Sequence, residues 1–200
     1  MQPLVAASGE SANGPQGAPV GEVLPVFISA SLVRYGAWPG PYSILPAREI
    51  ALAWAIHSPG RSFEYVTQDW RRGWEEQGID WKARALENLR RVSPHPLATG
   101  ALLREDGDIW LISLHDADGL APSRLLLHDD LACLFPMGYR VALPESKRAF
   151  AFARDLDPED ADTVQNLVRR SYAASERPLS TGIFEPHDLQ PGEWPTPGTR

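Results

Sequence analysis

Two short stretches set an imidazole beside carboxylates: His115-Asp116-Ala117-Asp118 and His128-Asp129-Asp130. Such groups bind a divalent ion when loops bring them together. Adjacent residues on one helix point apart, so His128, Asp129 and Asp130 are badly placed to share an ion. They read instead as acidic groups at the positive end of a helix dipole, and His115 to Asp118 as a solvated acidic loop. The five histidines, His57, His95, His115, His128 and His187, contain no i, i+4 pair. No metal is expected. Cys133 is the single cysteine and lies in Leu131-Ala132-Cys133-Leu134-Phe135. Apolar neighbours raise a thiol's pKa and leave little thiolate, so a buried, unreactive side chain is expected there. One cysteine also rules out an intrachain disulfide and a thiolate zinc site.

Other catalytic devices are equally thin. Ser62 follows Pro59-Gly60-Arg61 but leads into strand-like sequence, whereas a nucleophilic serine sits on a strand-to-helix elbow; the chain has no Gly-x-Ser-x-Gly. It has neither Gly-x-x-x-x-Gly-Lys-Ser/Thr nor Gly-x-Gly-x-x-Gly, which excludes those two phosphate cradles. Glu49 and Glu64 lie inside apolar strand sequence, where a pocket would raise a carboxyl pKa for acid–base work. Edge or solvent-facing placement is the simpler expectation for both. No cofactor and no catalytic residue is expected. The strongest candidates for binding are aromatic: Tyr35, Trp38 and Tyr42 sit among Gly36, Pro39, Gly40 and Pro41. A stiff loop that presents large rings loses little side-chain entropy on docking. The competing expectation is that the loop folds back and Trp38 plugs the core.

The elements that must hold these residues follow from pattern and punctuation. Val23 to Val33 is β-branched and apolar, and Pro25 restricts it to starting after the proline or running along a sheet edge. Ile50 to His57 and Ser62 to Val66 read as strands around a Ser58-Pro59-Gly60 turn. Thr67 caps one helix, which puts Trp70 and Trp74 on one face and ends at Gly78. Asp80 caps a second, with Trp81, Ala85, Leu86, Leu89 and Val92 as its buried stripe and Ser93-Pro94-His95-Pro96 as its stop. Ala101 to Arg104 and Ile109 to Leu114 form a hairpin about Asp106-Gly107. Asp129 to Phe135 reads as helix, and Tyr139 to Leu143 and Ala149 to Arg154 as a strand pair. Asp157-Pro158-Glu159-Asp160 opens a last helix with Val164, Leu167, Val168 and Tyr172 inward. Without βαβ alternation, this order predicts an α+β fold: a largely antiparallel mixed sheet with helices packed on one side.

Composition sets the outer bounds. Of 200 residues 43% are hydrophobic, enough for a core, and 22% are charged. The seven tryptophans must be mostly covered. Residues 1–22, rich in Ala, Gly, Ser and Pro, read as a disordered leader, and 189–200, with three prolines and two glycines, as a flexible tail, leaving 23–188 as a single domain. The formal charge is −7, which repels nucleic acid unless a basic patch overrides it. Arg71, Arg72, Lys82, Arg84, Arg90 and Arg91 alternate with Asp69, Glu75, Glu76, Asp80 and Glu87, a solvated helical surface, so nucleic acid is not an expected partner. Arg104 to Asp130 carries seven carboxylates against two arginines, an acidic face. The first residues lack the basic and apolar regions of a secretory signal, and no apolar run approaches the roughly 20 residues of a membrane span. A cytoplasmic protein without a membrane partner is expected.

Several stretches together resemble the YtpQ-like family of uncharacterised bacterial proteins. These are Arg61-Ser62-Phe63-Glu64-Tyr65-Val66-Thr67, Trp74, Ala85-Leu86-Glu87-Asn88-Leu89-Arg90-Arg91, Ser123-Arg124-Leu125-Leu126-Leu127, Val141-Ala142-Leu143-Pro144, and Arg177-Pro178-Leu179-Ser180 with Phe184. The resemblance covers roughly residues 60–188 and implies an α+β fold and the bacterial cytosol, with no activity attached. By elimination the function expected is a non-catalytic interaction or accessory module with an unknown protein partner. The alternative is an enzyme or small-ligand protein whose site is assembled from loops, and that alternative requires a deep pocket.

Overall fold

The computed structural model describes residues 19–57, 63–94, 97, 100–105 and 107–191. Expectations that fall on the leader before residue 19, the Ser58-Pro59-Gly60 turn, Ser62, His95, Asp106 and the tail beyond residue 191 lie outside the described residues. The fold is α+β, and its strands divide between two sheets, each antiparallel throughout.

The first sheet is built on a strand of unusual burial. β1 (Val23–Ser29) runs into α1 (Ala30–Arg34), where the Ser29 hydroxyl accepts from the Ser31 amide. The strand expected to continue to Val33 therefore stops at a serine cap. β2 (Tyr42–Ile44) and β3 (Ile50–Ile56) follow, then β4 (Glu64–Tyr65). β3 is central and wholly buried: β1 covers one of its edges, while β2 and β4 share the other. Ala51, Ala53 and Ala55 alternate with Leu52, Trp54 and Ile56, so one face is flat and the other carries bulk.

Two helices cover this sheet at the positions their caps announced. α2 (Gln68–Glu76) starts where Thr67 Oγ1 accepts from the Trp70 amide at 3.3 Å, and α3 (Trp81–Val92) where Asp80 Oδ1 accepts from Ala83 at 3.0 Å. Gly78 between them has φ +69°, a conformation that favours glycine. Trp81 meets Trp54 edge-on at 4.8 Å and lies 5.9 Å from Trp74. The stripe of α3 is buried as far as Leu89, but Val92 in the last turn is 39% exposed. Buried Asn88 donates to the Val23 carbonyl at 2.9 Å and the Val20 carbonyl at 3.1 Å, fixing the start of β1.

The second sheet comprises β5 (Gly100–Leu103), β6 (Ile109–His115), β7 (Tyr139–Glu145), β8 (Arg148–Ala153) and β9 (Ile183–Phe184), in the order β5-β6-β8-β7-β9. Between β6 and β7 the chain makes a 3-10 turn over Ser123–Leu126 and the short helix α4 (His128–Ala132). After β8, Asp157 Oδ1 accepts from Asp160 at 2.8 Å and starts α5 (Pro158–Ala174), which packs on β7. Val164 and Val168 face inward, whereas Leu167 is half-buried and Tyr172 is exposed. One continuous buried cluster includes residues of both sheets. Polar ties join them as well: the Ser180 hydroxyl bonds the Glu49 carboxylate, and the Ala47 amide donates to the Asp188 carbonyl at 3.1 Å.

Candidate functional site

A cleft of about 830 Å³ is lined in part by β1, whose outer edge pairs with no strand among the described residues. The register explains what that edge offers. Ala30 N–H donates to the Glu49 carbonyl and His57 N–H to the Glu22 carbonyl, and both pairs continue the β1–β3 alignment. Antiparallel bonding alternates, so Leu24, Val26 and Ile28 bond β3 while Pro25, Phe27 and Ser29 point their backbone groups the other way. Pro25, which has no N–H, occupies one of the outward positions; this is the edge placement its ring demands. Phe27 N–H points outward too and has no partner among the described residues. Four consecutive residues, Val26 to Ser29, line the cleft. Side chains of one strand alternate between faces, so this run of four draws on both faces of β1.

The remaining walls come from far apart in sequence. Ser31 and Leu32 of α1 continue the β1 side, Phe63 and Tyr65 form an aromatic side, and the 117–123 loop, the Ser146-Lys147 turn and Arg177-Pro178-Leu179 close the others. The last two walls are stitched together: Ser146 N–H donates to the Arg177 carbonyl at 3.2 Å and Leu179 N–H to the Pro144 carbonyl at 2.9 Å. Gly119, with φ +74°, lets its loop approach Phe63; a Cβ there would stand 3.1 Å from the ring.

The 117–123 loop is held by a charge cluster that sequence reading missed. Arg124 is 2% exposed. It donates to Asp118 Oδ2 at 2.6 Å and Oδ1 at 3.3 Å, to Asp116, and to Ser93 Oγ at 3.3 Å. Asp118 also accepts from the Leu120 amide at 2.8 Å. The two carboxylates considered as metal ligands are thus the counter-ions of one buried guanidinium. A sequence signal existed: an arginine embedded in a leucine run needs an acidic partner, and Asp-x-Asp lies just upstream.

His128 stands apart from this cluster. Its Nδ1 is 3.1 Å from the Tyr139 hydroxyl, and its buried Nε2 has no partner among the described residues. Burial lowers the His128 pKa and pushes the Tyr139 phenol up to about 12, so a neutral ring faces a neutral phenol. No group of three or more His, Cys, Asp and Glu is placed to hold a metal among the described residues. Glu64 is exposed on β4, and Glu49 is the exposed acceptor of Ser180. Cys133 is exposed as well, which corrects the expected core placement. It follows the short α4, whose inward position is taken by Leu131, so the apolar run does not point one way.

The three aromatic candidates do not converge. Tyr35 is 86% exposed at the loop. Trp38 is half-buried, meets Tyr65 edge-on at 4.4 Å and donates Nε1–H to the Pro41 carbonyl at 3.4 Å, so it backs a ring that lines the cleft. Tyr42 borders a separate crevice of about 270 Å³ with Trp54, Trp81, Arg71, Glu75 and Lys82. Lys82 Nζ lies 5.7 and 5.8 Å from the Trp54 and Trp81 rings. Arg71, bonded to Glu75 at 2.9 Å, holds that carboxyl below its ordinary value, with the Trp81 indole and Lys82 adding to the effect. The chain's own charges occupy this crevice.

No helix among the described residues is long and apolar enough to cross a membrane. Comparison with known proteins finds no family model, no curated protein and no solved structure that matches the chain.

Proposed function

We propose that the protein is an interaction module that binds an extended segment of a partner protein along the outer edge of β1. The observation that carries this reading is the β1 edge: Val26 to Ser29 line the cleft, and the Phe27 amide points away from β3 without a partner among the described residues. Extended peptides add to such edges through main-chain hydrogen bonds, and pockets for alternate side chains select among them. Leu32, Phe63 and Leu179 supply apolar surface for those side chains. The bacterial cytosol is the proposed setting, on the resemblance to the YtpQ-like family. The stretches that carry that resemblance contribute Phe63, Tyr65, Ser123, Arg177, Pro178 and Leu179 to the cleft.

Selection of random dodecapeptides displayed against the full chain tests the reading. Enrichment of proline-free sequences with alternating apolar residues is expected. Their binding should fall about tenfold or more in Leu32→Arg and stay unchanged in Tyr35→Ala. Absence of any enriched peptide, or capture that depends on Tyr35 and ignores Leu32, would refute it.

A further inference from the structure

The cleft is lined by three charged residues, Asp118, Lys147 and Arg177. Asp118 is already neutralised by the buried Arg124. Lys147 and Arg177 are exposed, and neither has a carboxylate partner among the described residues. They are also neighbours: the amide of Ser146, one residue before Lys147, bonds the Arg177 carbonyl. In a chain of net charge −7, two unpaired cations at one mouth make a local positive field in an otherwise repelling surface.

The place of this pair along β1 follows from two contacts. Ser180 bonds the Glu49 carboxylate, and the Glu49 carbonyl accepts from the Ala30 amide. The Ser180 end of the 177–180 segment therefore lies near the Ser29 end of β1. A strand laid along β1 would bring one end of its contact region to Lys147 and Arg177.

Resting on the docking reading above, we propose that the bound segment carries an acidic side chain, Asp or Glu, that pairs with Lys147 and Arg177 at the Ser29 end of the edge. Arginine and lysine both pair with carboxylates, arginine through a two-pronged contact and lysine as a point charge.

The test uses the full chain and peptides amidated at their C-termini, so a terminal carboxylate contributes nothing. Selection with the wild type is expected to enrich Asp or Glu at one fixed position beside the apolar alternation. Replacing that residue by its amide should weaken binding about tenfold and flatten the salt dependence. The double variant K147E/R177E alters exposed side chains only, and its fold is checked by circular dichroism. It should select the same apolar alternation with Lys or Arg at the acidic position. Apolar peptides enriched without an acidic position, or an amide swap that changes affinity less than about twofold, would overturn this inference and leave the edge-docking reading standing. Failure to enrich any peptide would overturn both.

Discussion

Arg124→Met puts the structural account under the greatest load. Methionine roughly preserves the length and apolar stem of arginine, so the substitution removes charge and hydrogen bonds while leaving little cavity. What remains is Asp116 and Asp118 converging on an uncharged side chain. Truncating one partner of a fully buried ion cluster costs about 3–5 kcal/mol, because the other charge is stranded. Here the stranded carboxylates keep 25% and 31% of their side-chain surface in water, and exposed pairs contribute only about 0–1 kcal/mol. The expected loss therefore lies between these limits, at about 2–3 kcal/mol. Urea denaturation read by tryptophan fluorescence measures it, with the slope compared to confirm that the midpoint alone has moved. The triple variant R124M/D116N/D118N removes all three charges and should recover most of the loss, since uncharged replacement of a buried cluster is often nearly neutral. A loss below about 1 kcal/mol for Arg124→Met, or a triple variant no more stable than the single, would show that the cluster does not hold the 116–124 loop.

Three further outcomes are expected. Burial lowers the His128 pKa below the unfolded value near 6.5, so the unfolded chain binds the extra proton first as pH falls. The associated stability is complete above about pH 6.5 and is lost as pH drops toward the folded-state pKa; melting temperatures between pH 7.5 and 5.5 should show this slope, and His128→Phe should reduce it. Gly40→Ala drives a Cβ into the Val66 carbonyl oxygen, which should cost about 1–3 kcal/mol and alter the fluorescence of neighbouring Trp38. Cys133 is exposed, so native protein should react with Ellman's reagent at one thiol per chain without denaturant; a protected thiol would contradict its position.

Local elements were legible in the sequence because each carries its own physical signal. Thr67, Asp80 and Asp157 cap helices with side-chain oxygens that need no tertiary partner to be recognised. Pro25, which lacks a donor, left two options, a strand starting after it or one along an edge, and β1 takes the second. Division into two sheets was not legible, since pairing depends on contacts such as Ser180 with Glu49, 131 residues apart. β9, only two residues long, has no periodicity to detect. The cleft was hidden for a different reason: the outward main-chain groups of Phe27 look like those of any residue until the register is known. Trp38 and Tyr42 illustrate the converse, since conspicuous side chains drew attention to a loop whose rings back one wall or border another crevice.

The reading rests on the outward amide of Phe27, and amide hydrogen exchange reports on it directly. With a display-selected peptide at saturation, exchange at Phe27 should slow by about a hundredfold while Val26 and Ile28, already bonded to β3, change little. Unchanged exchange at Phe27 under saturating peptide, with protection appearing elsewhere, would mean that the segment does not add to β1.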